Sequence, residues 1–119
     1  MLNFNSILLF SENPKILVDF YKKVLKKDVD WSGGEFSGMQ AGNGHLVIGP
    51  HDKVHGKSQN PERMIINFEV GNIKEDVKRL QKAGIKKIQD IYHVEEYGYI
   101  ATFEDIDGNY FQLAQTKSN

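Results

Sequence analysis

The stretch FEDIDGNYFQL, residues 103–113, is an acidic turn followed by an alternating strand, and Gln112 stands at the strand's middle where a carboxylate would make chemical sense. A glutamine there offers a neutral carbonyl oxygen and an amide donor, a hydrogen-bonding contact rather than a ligand for a divalent ion. Asn67 and Glu69 in MIINFEV, residues 64–70, share a face with Ile65 at period two, opposite Met64, Ile66, Phe68 and Val70. The uniformly apolar set is expected to pack under a helix, so Ile65, Asn67 and Glu69 face an open cleft. Glu69 there is either a general base, if buried with a raised pKa, or a carboxylate at the rim.

Histidines supply fewer options. His51 and His55 have the i, i+4 spacing of a zinc pair on a helix face, but the surrounding loop is polar and bounded by Pro and Gly, which favours two solvent-exposed side chains. His45 follows a glycine turn and reads as a surface residue. His93, beside Glu95 and Glu96, reads as a strand-end residue in preference to a base in the cleft. Trp31, the single tryptophan, is either a stacking platform for a flat ligand or a packing residue at the core edge or a subunit contact, the second being favoured. The turn at residues 105–109 lacks the further ligands and distal Glu of a calcium loop, and reads as structural.

The elements that must position these groups occur twice. An apolar run at 6–11 leads to Asn13-Pro14, an N-cap and first-turn proline, and then to a helical stripe of Leu17, Phe20, Tyr21, Val24 and Leu25. Strands follow at 29–32, 36–41 and 45–48, punctuated by Gly33-Gly34 and Gly42-Asn43-Gly44. A second strand at 64–70 leads to a helix capped by Asn72, with Ile73, Val77 and Leu80 on one face and Gly84 at its end. Strands at 87–93, 99–104 and 110–114 complete the repeat. The two halves superpose with one offset, Asn13 on Asn72, Val18 on Val77 and Tyr21 on Leu80. The pattern predicts an α+β chain of two βαβββ modules, about 1–49 and 63–119, with a polar linker of about 50–62, forming a curved mixed sheet around a cleft.

Composition narrows the function classes. The chain has 119 residues, one domain's worth, with 39% hydrophobic and 26% charged residues as in an ordinary globular protein. A net charge of −1 with interspersed signs gives no footprint for nucleic acid. The absence of cysteine excludes disulfides, thiolate nucleophiles and Cys-ligated zinc. No membrane-span-length apolar run or signal-peptide pattern is present, so a cytoplasmic protein is expected.

The doubled order and the closing F-x-D-x-D-G-N-x-x-x-L, carried by Phe103, Asp105, Asp107, Gly108, Asn109 and Leu113, together with Pro14 through Asp19-Phe20-Tyr21 at the first helix, resemble the vicinal oxygen chelate superfamily. That group includes glyoxalase I, fosfomycin and bleomycin resistance proteins, and extradiol dioxygenases. The resemblance covers essentially the whole chain and implies the fold more strongly than any activity. In its metal-using members a divalent ion is held by His and Glu from the first and last strand of each half. Those positions fall here on Ser6, Val47, Ile65 and Gln112, two of them hydrocarbons and two neutral. The family's usual metal centre is therefore expected to be missing, with no metal and no cofactor.

The resulting expectation is metal-free binding of a small organic molecule, drug-like or aromatic, as in the drug-sequestering members. Its contacts would be Ser6, Leu8, Trp31, Val47, Ile65, Asn67, Glu69 and Gln112, with no catalytic residue. The alternatives are an enzyme of the same superfamily with relocated chemistry at Glu69, His93 or the loop histidines, and a partner-binding module whose cleft serves association. The resemblance also implies a homodimer.

Overall fold

The computed structural model describes residues 1–117, which divide into two compact units, Met1–Gly56 and a second that begins at Lys57. The division falls inside the turn-rich stretch at residues 50–62. In the first unit β1 (Ser6–Phe10) leads into α1 (Pro14–Leu25), then β2 (Trp31–Gly33), β3 (Phe36–Ala41) and β4 (Gly44–Gly49). In the second, β5 (Ile66–Glu69) leads into α2 (Ile73–Lys82), then β6 (Lys86–Val94), β7 (Gly98–Glu104) and β8 (Tyr110–Thr116). The sheets run β1-β4-β3-β2 and β5-β8-β7-β6, and in each the first strand pairs in parallel with the last while the other pairs are antiparallel. Both units are thus the βαβββ modules expected of an α+β chain. Among the described residues no helix is long and apolar enough to cross a membrane.

One face of each sheet is closed by its helix. Leu17, Tyr21 and Val24 are the buried side of α1, at spacings of four and three, and the helix packs on β3 and β4, where Met39, Leu46 and Ile48 are buried. On α2 the buried side is Ile73, Val77 and Leu80, facing the sheet that carries Ala101, Phe103, Phe111 and Leu113. Phe111 anchors this layer: Phe103 stacks on it at 5.7 Å between ring centroids, and Phe68 meets it edge-on at 6.0 Å.

The two helix starts differ. Asn72 has an extended backbone, and its side chain accepts the Glu75 N–H at 3.2 Å, a working N-cap. Asn13, at ψ 69°, makes no side-chain cap; its own N–H donates to Ser11 Oγ at 3.0 Å, and Pro14 alone marks the start. Two further expectations need correcting. β2 begins at Trp31 rather than Val29, and β5 at Ile66, leaving Met64 69% exposed instead of under α2. Ile66 and Phe68 do lie on the helix side, in register with buried Phe111 and Leu113.

Candidate functional site

The face of each sheet that its helix leaves uncovered is read from strand register. On the first sheet Ser6 lies beside His45 and His45 beside Gln40, forming one cross-strand row. The next row is Leu8–Val47–Gly38–Trp31, spanning all four strands. It is apolar and open, with Leu8 53% and Trp31 45% exposed. A Cβ on Gly38 would fall 2.3 Å from the Trp31 indole, so the ring lies directly against the backbone of β3. Phe36 uses Gly49 in the same way, at 2.3 Å, and its ring meets Phe10 edge-on at 6.2 Å. Two glycines inside strands thus let two aromatic rings lie low across the sheet. At 45% exposed Trp31 is not the core-edge packing residue that the sequence favours; it is part of this open surface.

Because the chain has one tryptophan, its emission reports this contact alone. Gly38→Val should lift the indole off β3 and red-shift the emission. Since the ring is free to swing away, stability should change by no more than about 1 kcal/mol. An unshifted spectrum would show that the ring does not rest on Gly38.

On the second sheet the open face is polar. Asn67, Gln112, Thr102 and Gln89 stand in one row across β5, β8, β7 and β6. Gln112 Nε2 donates to Thr102 Oγ1 at 3.1 Å, and Thr102 is buried. The bond commits the Nε2 side of the amide to Thr102, and Oε1 is its acceptor atom. In the following row the exposed Glu69 accepts the Thr116 hydroxyl at 2.6 Å. Ile65 precedes β5 and is half-buried.

Every residue of the expected contact set therefore lies on, or next to, the open face of its own sheet: Ser6, Leu8, Val47 and Trp31 on the first, Asn67, Glu69 and Gln112 on the second with Ile65 just before β5. Residue reasoning missed Thr102, Gln89, Gly38 and the Phe36–Gly49 contact. Gly38 had a visible signal, since an isolated glycine inside a strand marks a close approach, whereas Gly49 falls just past the expected strand at 45–48 and ends β4. Thr102 had none without the register.

The family's metal can be tested against this donor set. Register brings His45, not Val47, beside Ser6, and Asn67, not Ile65, beside Gln112. Even so substituted, the set is a hydroxyl, one imidazole and two amides, one of which already serves Thr102. No carboxylate is among them, and among the described residues no group of three or more His, Asp or Glu could hold an ion. The residues do not fit the metal.

The loop histidines do not converge either. His51 Nδ1 accepts the Lys53 N–H at 3.1 Å, and its ring sits 5.1 Å from Phe10. His55 Nδ1 lies 3.3 Å from Glu12 Oε2, and Glu12 Oε1 accepts the Gly56 N–H at 3.3 Å. His93 pairs across the hairpin with Tyr99, whose neighbour on β8 is Gln115. Gln115 reaches the first N–H of α2, so His93 belongs to the helix side of the sheet and not to the open face.

A family model described as the glyoxalase/bleomycin resistance protein/dioxygenase superfamily matches residues 3–113. No match is found among curated proteins. Among solved structures, a glyoxalase family protein from Bacillus anthracis is similar at 18% identity and a TM-score of 0.78, covering 98% of this chain and 97% of its own. A glyoxalase/bleomycin resistance protein/dioxygenase family enzyme from Burkholderia phytofirmans PsJN is similar at 17% identity and a TM-score of 0.76, covering 94% and 97%. A lactoylglutathione lyase from Agrobacterium tumefaciens is similar at 14% identity and a TM-score of 0.74, covering 95% and 92%. At these identities the structural likeness speaks for the fold, while the family model spans nearly the whole chain. This chain belongs to the glyoxalase/bleomycin resistance protein/dioxygenase superfamily.

Proposed function

We propose that this chain binds a small planar organic molecule non-covalently and does so without the divalent ion used elsewhere in its superfamily. The observation that carries the reading is the row Leu8–Val47–Gly38–Trp31, in which an indole rests on bare backbone and remains open to solvent with Leu8, beside a half-buried Val47. Such a surface suits a flat apolar ring system, whose stacking adds about 0.5–1.5 kcal/mol beyond area burial. Ser6, one row along, supplies a hydroxyl. On the second sheet's open face Gln112 and Asn67 are neutral hydrogen-bonding groups with Ile65 as an apolar neighbour, and Glu69 is already engaged by Thr116. Related structures bear the names of enzymes; in this chain Glu69 is exposed and engaged by Thr116, and His93 lies on the helix side of its sheet, not on the open face.

The test is thermal unfolding of chelator-stripped protein with Ni(II), Zn(II), Mn(II) or Fe(II), followed by planar aromatic compounds monitored by Trp31 emission. A metal site at a hundredfold excess over its dissociation constant would add about 2.7 kcal/mol. The expected result is no shift with any ion and saturable Trp31 quenching, with stabilisation, by at least one planar compound. Saturable stabilisation by one ion, reversed by chelator, would overturn the metal-free reading.

A further inference from the structure

We infer that the second unit carries a separate site for a small organic cation, an alkylammonium group, at the end of its sheet where the β6–β7 turn meets the end of β8. A cavity of about 440 Å³ lies between the β6–β7 turn and the end of β8, lined by His93, Glu95, Glu96, Tyr99, Gln115 and Thr116, with Lys117 also at its wall. None of these residues belongs to the Leu8–Val47–Gly38–Trp31 row, and neither reading depends on the other.

Three features select the ligand class. The His93 and Tyr99 rings lie 5.0 Å apart between centroids at 49°, forming one aromatic wall, and an aromatic face attracts a cation within about 6 Å. Two carboxylates, Glu95 and Glu96, stand against the single lysine, so the lining favours positive charge. Among the described residues no three His, Asp or Glu groups converge on a metal position, which selects a bulkier cation held by face and charge rather than by coordination.

The wall is also built to keep its shape. Gln115 Oε1 accepts the Ile73 N–H at 2.9 Å, fixing that side chain to the start of α2. Beyond β8, the Lys117 N–H donates to the Tyr97 carbonyl at 2.7 Å, and Tyr97 N–H donates to the Val94 carbonyl at 3.0 Å, tying the hairpin turn to the following chain. A preorganised cavity loses less on binding than one that must order.

Choline and its neutral isostere 3,3-dimethylbutan-1-ol, titrated into the intact chain, separate charge recognition from simple occupancy. Ring resonances of Tyr99 and His93 should shift saturably with choline and not with the neutral alcohol. The double variant Glu95→Gln/Glu96→Gln should weaken choline roughly tenfold, and Tyr99→Leu should weaken it by a smaller factor, each with an unchanged unfolding midpoint. Equal shifts with both compounds, no saturation, or unchanged affinity in the folded double variant would overturn the inference. Loss of planar-ligand quenching at Trp31 would leave it untouched, because the two readouts sit in different units.

Discussion

Alanine at position 98 should destabilise the chain by roughly 3 kcal/mol or more, a large share of a small domain's stability. Gly98 opens β7 at φ +142°, a conformation that an L side chain rarely adopts. A Cβ there would stand 2.0 Å from the Gln115 carbonyl oxygen and 3.0 Å from Gln115 C and Thr116 Cα. All three atoms are backbone. Gly98 is paired with Thr116, and Lys117 N–H is bonded to Tyr97, so the main chain cannot yield without opening the end of the β7–β8 ladder. Gly38 makes the comparison fair: its hypothetical Cβ clashes almost as closely, at 2.3 Å, but with an indole that can turn away. Denaturant midpoints for Gly98→Ala and Gly38→Ala should therefore differ widely, the first far below the parent and the second near it. Similar midpoints would refute the backbone account.

Much of the fold was readable because its punctuation is local. Gly33-Gly34 and Gly42-Asn43-Gly44 bracket a six-residue alternation, and β3 spans those residues, Phe36–Ala41. Pro14 and Asn72 marked the two helix starts, and Gly84, at φ +81°, the end of the second. The misread start of β2 has a physical cause. Asp28 and Asp30 flank Val29 and take backbone donors with their side chains: Asp28 Oδ1 accepts the Val29 N–H at 2.8 Å, and Asp30 Oδ2 the Gln40 N–H at 2.6 Å. The Gln40 N–H and then Lys27 hold the Asp30 carboxyl below its ordinary 3.8, and the Val29 N–H and then Lys22 do the same for Asp28. A β-branched residue between two such aspartates looks like strand in a propensity reading, but its neighbours' side chains take up donors that a ladder would use.

The candidate surfaces were half readable for a related reason. Period two assigns a side to each residue of one strand, and it put Asn67 and Glu69 opposite Ile66 and Phe68 as found. It does not say which residues of two strands stand side by side. Ser6 meets His45 and not Val47, and Gln112 meets Asn67 and Thr102, because the parallel β1–β4 and β5–β8 pairs are joined through helices and hairpins whose lengths leave the register open. Met64 shows the opposite limit. Its parity matches Ile66, but the strand begins two residues later, so parity has nothing to act on.

The turn before β8 sets the second large effect: Asp105→Ala should cost about 3 kcal/mol, with Asp105→Asn intermediate. Asp105 is 4% exposed, and its Oδ1 accepts the N–H groups of Asp107 at 2.9 Å and Asn109 at 3.0 Å. Asn109 Nδ2 adds bonds to Oδ1 at 3.2 Å and Oδ2 at 3.0 Å. Alanine leaves these donors without their charged acceptor. Asparagine keeps an oxygen for the two backbone donors, but sets its own amide hydrogens against Asn109 Nδ2. The neighbouring aspartate is the control. Asp107 Oδ2 is buried with no hydrogen-bond partner among the described residues, and the residue is held through its backbone, by its own N–H to Asp105 and by the Ser58 N–H donated to its carbonyl at 2.8 Å. Asp107→Ala should therefore cost less than about 1 kcal/mol. Comparing the unfolding midpoints of the three variants separates a turn organised by one carboxylate from an acidic turn in which either will serve; equal losses at 105 and 107 would favour the latter. The first outcome would make Asp105 the residue that delivers Gln112 to its position, since β8 begins at Tyr110, one residue beyond the last donor Asp105 holds.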